Sequence, residues 1–189
     1  MVKGKMNSII EKAKLLASIW HMGQVRKYTG EPYINHCKEV AEILKEYHAS
    51  KEQIAAGWLH DTIEDTALLL DDLRQLDTHV ASLVAEVTHI TKPEDAKRNI
   101  RKRIERDRLA LVSGEAQTIK YADIISNTSS IAERDPEFAK IYLAEVKDLL
   151  SVMKYGYSKL RERAKEVVQQ AEDAVKKEAS CKLKQSKKK

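Results

Sequence analysis

Cysteine is scarce: there are two in 189 residues, Cys37 and Cys181, far apart and the second in a polar terminal stretch. That excludes a disulfide framework and a cysteine metal cluster, and it fits a reducing, cytoplasmic setting. No apolar run approaches the roughly 20 residues that a membrane-spanning helix needs. The first twenty residues, MVKGKMNSIIEKAKLLASIW, carry charge through their apolar part and lack a small-residue cleavage site, so the reading is of a soluble, unexported protein without a membrane partner. Proline and glycine are sparse as well, three and six. With so few chain breakers, long helices are the natural expectation.

What is present bears this out at the level of pattern. Apolar residues make up 42% of the chain, enough for one domain with a real core. They recur at helical spacing, as in Ile9, Ala13, Leu16 and Trp20. Ser8 with Glu11, Ser50 with Gln53 and Thr91 with Glu94 have the spacing of capping boxes, and Asp135 before Pro136 suits an N-cap and first helical position. The spacing predicts an all-α bundle of about eight helices over 7–22, 35–48, 51–64, 67–76, 79–90, 94–113, 115–134 and 137–177. Between the first two lies a glycine-rich loop, GQVRKYTGEPYIN, with Arg26 and Lys27.

The formal charge of +5 invites a nucleic-acid role, but its location argues otherwise. Residues 176–189 hold seven lysines and one glutamate, a net +6, which leaves residues 1–175 at −1. The body is near neutral. A lysine-rich end of this kind reads as a disordered, solvated tail, and no nucleic-acid partner is expected. The domain proper is residues 1–175.

The stretch WLHDTIEDT, residues 58–66, sets His60, Asp61, Glu64 and Asp65 directly after an apolar run. On a continuous helix these groups share one edge, and like charges held so close require a cation or raised pKa values. His36 follows the glycine-rich loop, and Asp123 sits in IKYADIISNTSSI, where Lys120, Asp123 and Asn127 fall on one stripe. Taken singly, His60 reads as a satisfied core histidine and Asp123 as a buried hydrogen-bonding carboxylate. Taken together, two imidazoles and two carboxylates make a plausible set of ligands for manganese, iron or zinc.

In this order, GQVRKYTGEPYINH, WLHDTIEDT and IKYADIISN resemble the motifs of the HD-domain hydrolases of the RelA/SpoT type. The resemblance covers about residues 10–160 and is nearest to the stand-alone small alarmone hydrolases. It implies a single HD-domain bundle that removes the 3′-pyrophosphate of guanosine 3′,5′-bis(diphosphate), a guanine nucleotide substrate, with Mn2+ as cofactor. By resemblance, His36, His60, Asp61 and Asp123 are the metal ligands and Glu64 and Asp65 the catalytic acidic pair. Arg26 and Lys27 match the basic pair that contacts guanine and phosphates, Asn127 matches a nucleotide-contacting asparagine, and Ser130 falls where relatives carry a threonine hydroxyl. Lys120 and Tyr33 join the substrate-binding candidates, Tyr33 either lining the pocket or packing beneath the loop. Cys37 replaces a common proline, and Thr128 and Ser129 replace the arginine-containing continuation of bifunctional relatives. The basic stretch KRNIRKRIERDR, residues 97–108, is either a solvated helix face or a source of further phosphate contacts. An HD phosphohydrolase for another nucleotide is the alternative function.

Overall fold

The structure is a computed structural model that describes residues 8–27 and 29–186, with the side chains of 132, 133 and 179–186 excepted. The side chain of Cys181 therefore lies outside the description, and residues 1–7, Tyr28 and residues 187–189 lie outside it altogether. Among the described residues ten helices follow one another: α1 (Ile9–Trp20), α2 (Ile34–Glu46), α3 (Lys51–Leu59), α4 (Thr62–Asp65), α5 (Leu70–Leu76), α6 (Thr78–Val87), α7 (Arg98–Leu109), α8 (Gly114–Arg134), α9 (Pro136–Val152) and α10 (Ser158–Ser186). The fold is all-α, as the sparse glycine and proline foretold.

Three of the four start signals cap a helix, although Ser8 and Glu11 form only the side-chain half of the capping box read for them. Ser8 accepts from the Glu11 N–H at 3.3 Å, Ser50 and Gln53 close a full capping box at 3.0 and 3.1 Å, and Asp135 accepts from the Phe138 N–H at 3.0 Å. The fourth does not form. The Thr91 N–H is taken by Glu105, the Lys92 N–H by Asp95, and α7 starts only at Arg98.

Two long helices of the sequence reading are broken. The stretch 137–177 divides at a turn containing Gly156, whose φ of +83° a side chain would strain. That turn is held from α8: Tyr121 donates to the Met153 and Tyr155 carbonyls, Gln117 accepts from the Tyr155 N–H, and Thr118 accepts from the Tyr157 N–H. Beyond it α10 runs to Ser186, so the segment expected to be a disordered tail from 176 onward is helical through that residue.

The second break lies inside 51–64. Residues after Leu59 leave the helix, with Asp61 at φ −100° and ψ −3°, and only the single turn α4 follows. Thr62 donates to the Leu59 carbonyl at 2.6 Å and His60 to the Gly57 carbonyl at 2.9 Å, satisfying carbonyls that the interrupted helix leaves open. The break has a consequence for chemistry. Neighbours on a helix diverge by about 100°, whereas here His60 and Asp61 turn onto one point, so the expected single edge shared with Glu64 and Asp65 does not exist.

At the centre, α3 is buried along most of its length and packs on α1, α2, α6 and α8. Close approach depends on Gly57: a Cβ there would meet Leu44 Cδ1 at 2.6 Å and Ala41 Cα at 3.5 Å. Because Leu44 is fully buried, that methyl has little room to yield. Gly57→Ala should therefore cost roughly 1 kcal/mol net, overpacking of about 1–3 kcal/mol outweighing a helix-propensity gain of about 1 kcal/mol. Urea unfolding measures it, and an unchanged midpoint would show that α2 and α3 have slack at this contact.

Candidate metal centre and adjoining cleft

The α2–α3 contact brings His36, near the start of α2, to His60, just past the end of α3. Their Nε2 atoms stand 3.2 Å apart. Each ring's other nitrogen is committed: His60 Nδ1 donates to the Gly57 carbonyl, and His36 Nδ1 lies 2.9 Å from Ser126 Oγ, whose own proton goes to Glu39 at 2.6 Å. Neutral rings held in this way aim two Nε2 lone pairs at each other, an arrangement that requires a positive charge between them.

Two carboxylates complete the group. Asp61 Oδ2 is 2.9 Å from His60 Nε2 and 3.4 Å from His36 Nε2, and Asp123 Oδ1 is 3.3 Å from His36 and 3.7 Å from His60. Ligand atoms about 2.1 Å from one ion stand roughly 3.0 Å apart at right angles and roughly 3.4 Å apart at tetrahedral angles. His36, His60 and Asp61, whose donor atoms all lie within 4.8 Å of one another, could hold one divalent ion, with Asp123 at 3.3 and 3.7 Å from the two imidazoles as a candidate fourth ligand. Helix α2, the break between α3 and α4, and helix α8 supply these residues from positions up to 87 apart in sequence.

Electrostatics support the same assignment. Burial alone would lower the pKa of His60, but Asp61 and Asp123 outweigh it and push it up to about 10. His36 is raised in the same way against its burial. Asp61 is held well below the usual carboxylate range by the two histidines, and Asp123 by Lys120 and the histidines, in both cases against burial. This pocket concentrates negative charge and keeps it ionised.

The remaining sequence candidates surround this centre. Lys120 donates to Asp123 Oδ2 at 2.7 Å, and Asn127 donates to Asp123 Oδ1 at 2.6 Å. Tyr33 does more than pack beneath the loop, since its hydroxyl donates to Asp61 at 2.6 Å. The Arg26 guanidinium is turned inward, donating to Asn127 and Ser130 at 3.1 Å each and to Glu39 at 3.4 Å. Lys27 takes the other direction, with Nζ 5.9 Å from the Phe138 ring centroid on α9. Glu64 and Asp65 sit on α4 at the open rim, where Glu64 is gripped by His89.

Several participants had no motif to announce them. His21 stacks on Tyr33 with centroids 4.9 Å apart and contacts Gln24 at 2.7 Å, and Gln24 in turn donates to the Asp65 carbonyl at 2.9 Å. Ser126 and Glu39 orient His36. A polar Ser126 in an otherwise apolar stretch was the one available sequence signal.

Beside the centre, between α7, α8 and α9, lies a cleft of about 520 Å³. Asp123, Lys120 and Asn127 form the wall it shares with the centre, Leu109, Ile124, Tyr142 and Leu149 are apolar lining, and the charged lining is mixed: Lys102, Arg103 and Arg106 stand among Glu105, Glu145 and Asp148, with Arg106 paired to Asp148 at 2.8 Å. The basic stretch 97–108 is therefore split: part of it faces the cleft, while Ile100 and Ile104 are exposed. Lys102 has its pKa lowered by burial and by the nearby charges of Lys120 and Arg98, a crowding of cations that an anionic ligand would relieve.

This architecture, a helical bundle around a His-Asp pair completed by a second histidine and a distant aspartate, defines an HD domain, and residues 13–179 match the family model of that description. The chain belongs to the HD-domain family. Within it, the relatives it resembles are RelA/SpoT homologues. It is 32% identical over 136 residues to the "Probable guanosine-3′,5′-bis(diphosphate) 3′-pyrophosphohydrolase" of Synechocystis, and 35% identical over 122 residues to the "Probable GTP diphosphokinase RSH3, chloroplastic" of Arabidopsis thaliana. These alignments cover 68% and 61% of this chain but 17% of each relative. A solved structure of a metazoan orthologue of SpoT, described as hydrolysing ppGpp, superposes with a TM-score of 0.78 at 26% identity, covering 88% of this chain and 97% of the other. No helix among the described residues is long and apolar enough to cross a membrane.

Because His60 carries its proton up to about pH 10 when no ion is bound, a divalent cation must displace that proton. Calorimetry of the chelator-stripped protein in two buffers of different ionisation enthalpy should show release of about one proton per ion, with affinity rising roughly tenfold per pH unit from 7 to 9. Affinity flat across that range would remove His60 from the ligand set.

Proposed function

We propose that this domain hydrolyses the 3′-pyrophosphate of guanosine 3′,5′-bis(diphosphate), or of its pentaphosphate relative, to GDP or GTP and pyrophosphate, with Mn2+ held by His36, His60, Asp61 and Asp123. The observation that carries the reading is Asp123, which faces the histidines with one oxygen and Lys120 with the other, and which lines the adjoining cleft. A ligand with phosphates at two ends of one ribose suits this arrangement: one end at the acidic metal centre, the other against Lys102, Arg103 and Arg106. The named activities of the Synechocystis relative and the metazoan structure point to the same substrate.

A divalent ion bound there would lower the pKa of a coordinated water from about 15.7 towards ~7 and offset charge on the phosphoryl oxygens. The acidic pair divides the remaining work. Crowding by protein and the charges of Asp61 and Glu64 push the Asp65 pKa up to about 6, while hydrogen bonds from His89 hold Glu64 below its ordinary value despite its partial burial. Asp65 is thus the stronger base and accepts the proton of the attacking water, and Glu64 stays ionised and orients that water. Tyr33 holds Asp61 in place, and Lys120 and Asn127 do the same for Asp123 while facing the ligand. Arg26 and Ser130 reach the ligand from the Asn127 side, with Lys27 at the outer edge beside Phe138.

The purified protein with Mn2+, incubated with a panel of guanine nucleotides and cofactor phosphates, should release intact pyrophosphate from the 3′ position of the alarmone and act far more slowly on GTP. Orthophosphate released faster from a phosphomonoester would favour an HD phosphohydrolase for another nucleotide. Asp65→Asn with Glu64→Gln should cut turnover by about 10²-fold or more and leave the bound ion in place, as metal analysis would show. Loss of the ion would reverse the assignment of ligand and catalytic roles. Since a base must be deprotonated, wild-type kcat should fall as pH drops through about 6 or somewhat lower, a bound cation favouring the ionised carboxylate.

A further inference from the structure

The segment between α6 and α7 carries a histidine that no motif singles out. His89 meets the Glu64 carboxylate twice: its main-chain N–H donates to Oε2 at 3.2 Å, and its Nδ1 stands 2.7 Å from Oε2 and 2.8 Å from Oε1. An ionised carboxylate only accepts, so Nδ1 carries the proton in this contact.

Residues on both sides of His89 are themselves anchored. Glu105 of α7, 3% exposed, accepts from the Ile90 N–H at 2.8 Å and the Thr91 N–H at 3.3 Å. Arg108 donates to the Thr88 carbonyl at 3.0 Å and the Glu86 carbonyl at 2.6 Å, and pairs with Glu105 at 2.9 Å. An ion pair with a buried carboxylate is costly to desolvate, and this one directs its remaining hydrogen bonds to backbone groups of Glu86, Thr88, Ile90 and Thr91, on both sides of His89.

Glu64 has need of such a hold. It sits on a four-residue turn with its side chain 34% exposed, a setting in which a glutamate samples several rotamers. The charged groups around it are Asp61 and Asp65 from its own segment, Lys120 of α8, Lys102 of α7 and His89. Among these, His89 makes the hydrogen bonds to its carboxylate.

We propose that His89 is a positioning residue that fixes the direction of the Glu64 carboxylate, and that the Glu105–Arg108 pair holds His89 in register for that purpose. The role in turnover rests on the hydrolase reading above. Because Glu105 and Arg108 share α7 with the cleft residues Lys102, Arg103 and Arg106, the orientation of Glu64 and these cations of the cleft are set by one helix.

The test uses His89→Ala and His89→Asn in the full chain, with circular dichroism confirming the fold. His89→Ala should lower kcat about tenfold or more, a larger effect than on KM, since the lost contact orients a reacting group while His89 itself only lines the cleft. His89→Asn, whose amide N–H can replace Nδ1–H, should recover most of that loss. Carbon-13 NMR of the Glu64 carboxyl in the ion-free protein gives a readout independent of activity: its titration midpoint should move up in His89→Ala and stay near wild type in His89→Asn. An unmoved midpoint in His89→Ala, or wild-type kcat in that variant, overturns the proposal. If the wild-type protein releases no pyrophosphate from the alarmone, the substrate reading falls instead, and the NMR midpoint still decides whether His89 holds Glu64.

Discussion

Two imidazole nitrogens 3.2 Å apart, each with its ring partner already committed, cannot rest without a positive charge between them. Much of the structure serves this constraint. Gly57 lets α2 and α3 approach closely enough to oppose the rings, and the break after Leu59 turns Asp61 back onto the same point. Helix α8 runs alongside with Asp123, and its Ser126 fixes the His36 tautomer. The price of the arrangement is a concentration of buried carboxylate and imidazole that would be unstable if uncompensated. Lys120, Tyr33 and Asn127 supply donors from the protein side.

Charge is distributed in a gradient away from that point. The centre gathers Asp61 and Asp123, the rim adds Glu64 and Asp65, and the neighbouring cleft brings in the cations Lys120, Lys102, Arg103 and Arg106, interleaved with Glu105, Glu145 and Asp148. Lys120 stands at the boundary and belongs to both sides. Such a gradient suits a polyanion that must deliver one phosphoryl group to a cation while the rest of its charge is met elsewhere. The near-neutral net charge of residues 1–175 conceals it, because the opposing patches cancel in the sum.

Most helices were legible from apolar period and caps, since these are local signals that the chain obeys locally. The boundaries that failed were those decided by distant partners. Thr91 has the spacing of a capping residue, but its N–H is claimed by Glu105, fourteen residues on. The α9–α10 turn looks like continuous helix until Gln117, Thr118 and Tyr121 of α8 are seen to satisfy its backbone groups. Similarly, residues 60–65 have a helical pattern, and only the pull of a common centre on His60 and Asp61 accounts for the interruption.

By itself, the sequence determined the chemical inventory: which histidines and carboxylates exist, that they lie next to apolar segments, and that the chain is helical with a near-neutral body. Residue type and short-range spacing carry that information because they act through the nearest turn of chain. Tertiary structure alone decided the direction of each group. It turned Arg26 inward onto Asn127 and Ser130, gave Tyr33 to Asp61, split the basic face of α7 between cleft and solvent, and placed His89 on Glu64. Those choices depend on hydrogen bonds between residues 25 to 104 positions apart, and no local pattern encodes the angle at which two distant helices meet.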